Sequence, residues 1–231
     1  ARMTDFSGAD LSNATFYSAR LREAKFRFAN LDKTNFDRAE LDGVFLWQAK
    51  LQTASFDGAI WGDRYELGDE RESHKWGEET YKSLKLWHRS SLMDDVAGEF
   101  RYRELVSRRR GQNELLRASI RNRSPRATTT ALARVIPLTS AEVLFGYGER
   151  WKRTLVWWAI TMILFAAIYY VWSITADPVF VGSTGGKLAL DSIYYSVTSF
   201  TALGYGSWAA EPIGWVRYAG LVEAVIGPIL I

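Results

Sequence analysis

The glycine-rich stretch Thr201, Ala202, Leu203, Gly204, Tyr205, Gly206 and Ser207 stands between two apolar runs of the 231-residue chain. Glycines two residues apart reach backbone angles closed to other residues. Just upstream, Asp191 or Ser192 can cap a helix of about ten residues, too short to span a membrane, with Ile193, Tyr194, Val197 and Phe200 at helical spacing. Helix, half-helix, glycine-rich strand and helix form an order that tolerates irregular backbone at membrane depth, because the strand lines a water-filled path instead of facing lipid. Glu223 lies inside the second apolar run, where an ionisable group is costly unless paired or wetted. It reads either as a gating or permeation carboxylate or as a structural hydrogen-bond partner of the short helix.

Other chemistry is scarce. The chain has no cysteine, which excludes disulfide scaffolds, thiolate metal sites and thiol nucleophiles. His74 and His88 are its two imidazoles, each in a polar stretch without a matching partner, and neither is expected to bind metal or catalyse. No glycine-rich phosphate loop precedes a helix. The expectation is a protein that is not an enzyme and carries no cofactor.

The elements that must position the glycine-rich stretch follow from the charge pattern. Residues 1–61 carry no net charge, residues 62–153 carry +5, and residues 154–231 carry −2 with only 6 charges in all. Thr154–Ala176 is a run of 23 residues without a charge, enough to cross a bilayer core of about 30 Å. Trp151, Trp157, Trp158 and Trp172 lie toward its ends, where amphipathic rings prefer the interface. Arg150, Lys152 and Arg153 flank its start and Asp177 follows its end, so the N-terminal side is expected to be cytoplasmic. An external loop with Gly182, Gly185 and Gly186 leads to the short helix, and a second span begins after Pro212. An earlier Gly146-Tyr147-Gly148 runs directly into the basic cluster and reads as an elbow at the membrane surface rather than a pore.

Residues 154–231 resemble the pore module of two-transmembrane potassium channels, whose filter is commonly written TVGYG. The resemblance implies a first span at 154–176, a re-entrant pore helix at 191–201, a filter at 202–206 with Thr201 before it, and a second span at 213–231 that is still in progress at Ile231. It implies rings of carbonyls that replace the hydration shell of K+, the only ligand expected, and a closed homotetramer in which each chain supplies a quarter of the pore. Tyr194 and Tyr195 match the aromatic cuff behind the filter, and Gly227 matches a glycine at which inner helices bend. Two positions depart from the family: Ala202 replaces a threonine whose hydroxyl serves the innermost ion site, and Ser207 replaces an aspartate that braces the filter.

The N-terminal part obeys a different period. Phe6, Leu11, Phe16, Leu21, Phe26, Leu31 and Phe36 open a five-residue spacing that runs to Trp61, with Ala9, Ala14, Ala19, Ala24 and Ala29 opening a second register two places before each. Five fits neither 3.6 nor 2, so neither a helix nor a flat strand is predicted. The segment resembles the pentapeptide-repeat family, which implies a right-handed quadrilateral β-helix over residues 1–61. The pattern is already running at the first residues, and further coils are expected before Ala1.

Between these parts, residues 62–138 read as a helical cytoplasmic linker domain and 139–153 as an interfacial helix. Tyr81, Leu84, Leu86 and Trp87, then Val96, Ala97, Phe100 and Leu105, predict two amphipathic helices over 79–110 with a turn near Ser90–Met93. Ser124–Thr130 reads as a flexible linker, and Thr139 with Glu142 as a capping box. From Arg101 to Arg126 nine arginines meet two glutamates, a solvated face or a surface for anionic lipid; nucleic acid is not expected, for want of aromatic platforms. The fold expectation is therefore multidomain: a pentapeptide-repeat β-helix, an α-helical hairpin linker and a two-transmembrane tetrameric channel pore. The function expected is passive K+ conduction in the cell inner membrane, with the cytoplasmic part assembling or gating the tetramer, alone or with an unidentified partner or ligand. A weakly selective cation channel and a membrane-anchored repeat scaffold with a degenerate pore are the alternatives.

Overall fold

The computed structural model of the protein describes residues 4–175, 180, 185–201 and 212–229. The chain forms two compact units that divide between Glu142 and Val143.

In the first unit the repeat folds as stacked coils. Parallel bridges join Asp5 to Lys25, Asp10 to Asn30, Thr15 to Asn35, and so on to Glu40 with Ile60, so the partner is always four repeats ahead and four repeats complete a turn. Among the described residues these are single-residue bridges with no continuous strand, because a turn follows each one. The Ala9 N–H donates to the Phe6 carbonyl (3.1 Å) and Ala14 to Leu11 (3.0 Å), and the third turn residue is left-handed even at Asn13 (φ 61°), Glu23 (φ 58°) and Phe28 (φ 60°). That conformation costs a residue with a Cβ about 1–2 kcal/mol. The bonds between coils offset it, as in Phe6 N–H to Lys25 O (2.7 Å) and Ser18 N–H to Asp37 O (2.9 Å).

The bulky residue of each repeat points inward and the small register fills the remaining space: Phe26, Leu31, Phe36, Leu41 and Ala24, Ala29, Ala39 are buried. Because Phe and Leu alternate in the first seven repeats and a turn holds four, Phe falls on opposite sides of the coil. Phe16, Phe36 and Phe56 stack in one column (5.2 Å between rings), and Phe26 meets Phe16 and Phe36 edge-on across the interior. Thr34 occupies the small register fully buried, its hydroxyl donating to the Leu11 carbonyl (2.8 Å).

Four helices follow: α1 (Gly68–Glu72), α2 (His74–Ser90), α3 (Asp94–Arg121) and α4 (Pro125–Phe145). Tyr81, Leu84 and Phe100 are buried as their spacing predicts, whereas Leu86 is exposed. The predicted pair of helices is longer than 79–110, since α2 starts at His74 and α3 continues to Arg121. Ser124–Thr130 is not a linker. Pro125 takes the first helical position, where its missing N–H costs nothing, and the hydroxyls of Thr128, Thr129 and Thr130 bond back to the Ser124 and Arg126 carbonyls. Nor do Thr139 and Glu142 open a helix: both lie inside α4, beyond Pro137, and Glu142 pairs with Arg109 of α3. That pair and the Thr128–Ser119 bond (3.1 Å) lay α4 antiparallel to α3.

In the second unit a single 3-10 turn, Gly146–Gly148 with Tyr147 at φ 58°, precedes α5 (Trp151–Thr175), α6 (Gly185–Thr201) and α7 (Val216–Ile229). The early Gly-Tyr-Gly is thus an elbow between helices. At 25 residues α5 is about 37 Å long and is the one described helix long and apolar enough to cross a membrane. Ile160, Ile163, Leu164, Val171 and Ile174 stay exposed on it, so its apolar surface is not spent on a core of this chain. The short helix begins earlier than expected: α6 has 17 residues, and neither Asp191 nor Ser192 caps it. Ser192 is buried within it and donates to the Leu188 carbonyl (2.8 Å). Leu188 packs with Tyr169, Phe180, Tyr195 and Val216, and that burial draws the preceding turn into the helix.

Candidate functional site

Tertiary packing places α6 against both α5 and α7. Three side chains, one from each helix, meet at a buried polar junction. Glu223 of α7 is 0% exposed; its carboxyl oxygens take the Tyr169 hydroxyl of α5 (2.9 Å) and the Ser196 hydroxyl of α6, which also reaches the Met162 carbonyl (2.9 Å). Among the described residues no cation pairs with it, so two hydroxyls replace water around the carboxyl group. The geometry is that of the structural hydrogen bond to the short helix, extended to α5 by Tyr169.

A second bond leaves α6 from the adjacent residue and reaches the start of α7. Tyr195 is buried, its hydroxyl donating to the Val216 carbonyl at the start of α7 (3.3 Å) and its ring edge-on to Tyr169 (5.3 Å) and Phe180 (5.4 Å). Tyr194 is half-buried, and its carbonyl accepts the Thr198 hydroxyl (2.8 Å). Phe180 and Pro212 form an antiparallel bridge, which brings together the segments before α6 and before α7. Two glycines permit the close fit. A Cβ at Gly220 would overlap the Tyr195 hydroxyl, and one at Gly227 would overlap the Phe200 carbonyl near the end of α6. Gly227, which the resemblance sets at a bend of the inner helix, lies where α7 approaches α6 closely.

Thr201 ends α6 exposed, with its hydroxyl donating to the Val197 carbonyl (2.7 Å). Ala202, Leu203, Gly204, Tyr205, Gly206 and Ser207 lie outside the described residues, so α6 and α7 are described up to either side of the expected filter. Sequence reasoning missed Ser196 and Tyr169. Each is a polar residue at a helix position otherwise suited to apolar contact, and that was the available signal.

The first unit holds a second polar cluster that the sequence did not announce. Arg27, on the outer side of a coil, lies over Phe45 (4.7 Å) and Trp76 (5.0 Å) and donates to Asp69 (3.0 Å) and Glu72 (2.7 Å). Asp69, fully buried, also accepts the Leu46 N–H (2.6 Å) and the Thr80 hydroxyl (3.3 Å). Burial holds its carboxyl above the usual range against the pull of those bonds. Glu70 accepts from Tyr81 (2.7 Å) and Arg110 (2.7 Å), Glu66 from Arg103 (3.1 Å), and Glu78 from Arg108 (2.8 Å). Part of the arginine run is thus spent on holding the helices to one another and to the segment before α1, and the solvated-face reading fails for those three and for Arg109. His88 is buried among Trp61, Trp87 and Phe100, with Nδ1 on the Leu84 carbonyl (2.8 Å). His74 lies 3.3 Å from Glu114. Among the described residues no cluster of His, Asp and Glu is suited to a metal ion.

Pentapeptide repeats occupy the N-terminal region: the family model described as Pentapeptide repeats matches residues 2–27 and 19–58, in 8 copies. Over 83 residues, 33% of the chain, the sequence is 36% identical to Protein LctB of Bacillus caldotenax. The chain spans 60% of the length of that curated relative. No solved structure matches it.

Proposed function

We propose that the chain is one subunit of a homotetrameric potassium channel of the inner membrane. In this reading α5 and the segment 213–231 are its two spans, α6 is a re-entrant pore helix, and the carbonyls of Thr201–Gly206 conduct K+ passively without cofactor or catalysis. The cytoplasmic N-terminal part, a right-handed quadrilateral β-helix with its helices, assembles or gates the tetramer. The carrying observation is the tethering of α6: a helix that ends at Thr201, directly before Ala202-Leu203-Gly204-Tyr205-Gly206, is tied to an apolar helix on each side by Glu223, Ser196, Tyr169 and Tyr195. Such ties hold the mouth of a carbonyl filter at fixed radius, which rings of carbonyl ligands require.

Ala202 favours a second reading, a weakly selective cation pore, because the innermost site lacks a hydroxyl. The test is ion flux from purified protein in liposomes, under K+ and then Na+ gradients, with Ba2+ as blocker. Flux of K+ that Na+ does not replace, blocked by Ba2+, is the expected result. Equal flux of both ions supports the weakly selective pore, and no flux from a verified tetramer supports a membrane-anchored scaffold.

A further inference from the structure

The stretch from Leu115 to Ala141 contains no acidic residue and five arginines, Arg117, Arg121, Arg123, Arg126 and Arg134, all exposed. No ion pair is formed by these five among the described residues, in contrast to Arg103, Arg108, Arg109 and Arg110 a few turns earlier. They gather around the tip of the antiparallel α3–α4 pair, where Arg121, Arg123 and Arg126 flank the turn. On α4, Leu132 and Ile136 are four residues apart on one exposed face, while Ala131 and Val135 are buried. Unpaired guanidinium groups beside exposed aliphatic side chains suit a surface that is anionic outside and apolar beneath.

From these observations we infer that the α3–α4 tip docks on anionic lipid headgroups. The inference rests on the reading that α5 spans a bilayer. Charge complementarity is one argument: each basic residue near an anionic surface contributes about 1 kcal/mol, and here no carboxylate competes. Covalent continuity is another. The 21-residue α4 is about 32 Å long and is followed by α5 after the short segment Gly146–Arg150, so Arg123 and Arg126 stand about one helix length, along the chain, from the segment read as spanning. Nucleic acid would also meet the arginines, but residues 103–144 hold no aromatic side chain on which bases stack, and the exposed Leu132 and Ile136 have no role in that complex.

The experiment uses the absence of native cysteine. Single variants Asn122→Cys at the tip, Leu92→Cys at the opposite end of α3 and Ile163→Cys on α5 are labelled with a fluorophore in the full chain, in vesicles carrying lipid-attached quenchers. The docked tip predicts quenching at residue 122 in phosphatidylglycerol vesicles, little in phosphatidylcholine, reversal by about 0.5 M KCl, and no quenching at residue 92. Arg123→Gln with Arg126→Gln lowers the docked-to-free ratio about 25-fold, at about fivefold per charge. Both side chains are exposed, so the fold stays intact. Quenching at 122 that ignores lipid charge overturns the docking. So does an oligonucleotide that shields the label when anionic lipid does not. An unquenched Ile163→Cys overturns the spanning reading itself, and the docking with it.

Discussion

Glu223 shows how the surroundings of a single buried group are set by its partners rather than its type. Glu223→Gln keeps an acceptor for the Tyr169 hydroxyl and presents an amide donor to Ser196, whose own proton can go to the Met162 carbonyl, so its thermal midpoint in detergent is expected to stay close to wild type. Glu223→Ala removes the acceptor that two buried hydroxyls share, a loss of about 1–3 kcal/mol, and is expected to lower the midpoint by several degrees. Equal midpoints for the two variants would show that the junction carries no stability. His88 gives a prediction in pH. Burial, opposed by the Leu84 bond, depresses the pKa of its imidazole below the ordinary histidine value of about 6.5. The unfolded chain therefore takes up a proton first as pH falls, and the contribution of His88 to stability is present at neutral pH and lost below about 6.5, at no more than about 1.4 kcal/mol per pH unit. His88→Phe keeps a ring among Trp61, Trp87 and Phe100 and is expected to flatten that loss, measured as the difference from wild type in denaturant midpoints between pH 7.5 and 5.5. Taking the difference cancels the opposite dependence of Asp69, which both proteins share.

Among the elements, the contact of α6 with α7 depends on the absence of side chains. Gly227→Ala would gain about 1 kcal/mol of helix propensity but would drive a methyl group into the Phe200 carbonyl, which is backbone and cannot turn aside. Overpacking of this kind costs about 1–3 kcal/mol, so a net loss of stability is expected. A Gly227→Ala protein as stable as wild type would mean that α6 and α7 separate there. Helix boundaries were less legible in the sequence than helix faces. The apolar positions of α2 and α3 were right in Tyr81, Leu84, Ala97 and Phe100, because burial follows periodicity. The starts of α4 and α6 were wrong, because cap signals are local while Ser192 and Thr139 sit inside helices that packing and ion pairs extend past them.

At the scale of the molecule the two units obey different rules, a five-residue period in one and a charge-poor run with a buried polar junction in the other. Ala202→Thr restores a hydroxyl at the innermost position of the proposed filter. If four chains form that filter, the K+ over Na+ permeability ratio from reversal potentials is expected to rise by about tenfold, the effect of about 1.4 kcal/mol in differential site energy. A ratio that does not move would exclude residue 202 from the conduction path.

The sequence alone determined the coil, since a bulky residue every five positions with a small one between has one efficient way to be buried, and the same holds for the apolar length of α5. Regular patterns are legible because every repeat carries the same instruction. Only the tertiary structure decided that Arg27 is held between Phe45 and Trp76 above Asp69, that part of the arginine run is consumed by carboxylates while the α3–α4 tip keeps its charge, and that Glu223 faces Tyr169 and Ser196. Those partners lie 18 to 54 residues apart in the chain, and no local spacing can encode such a meeting.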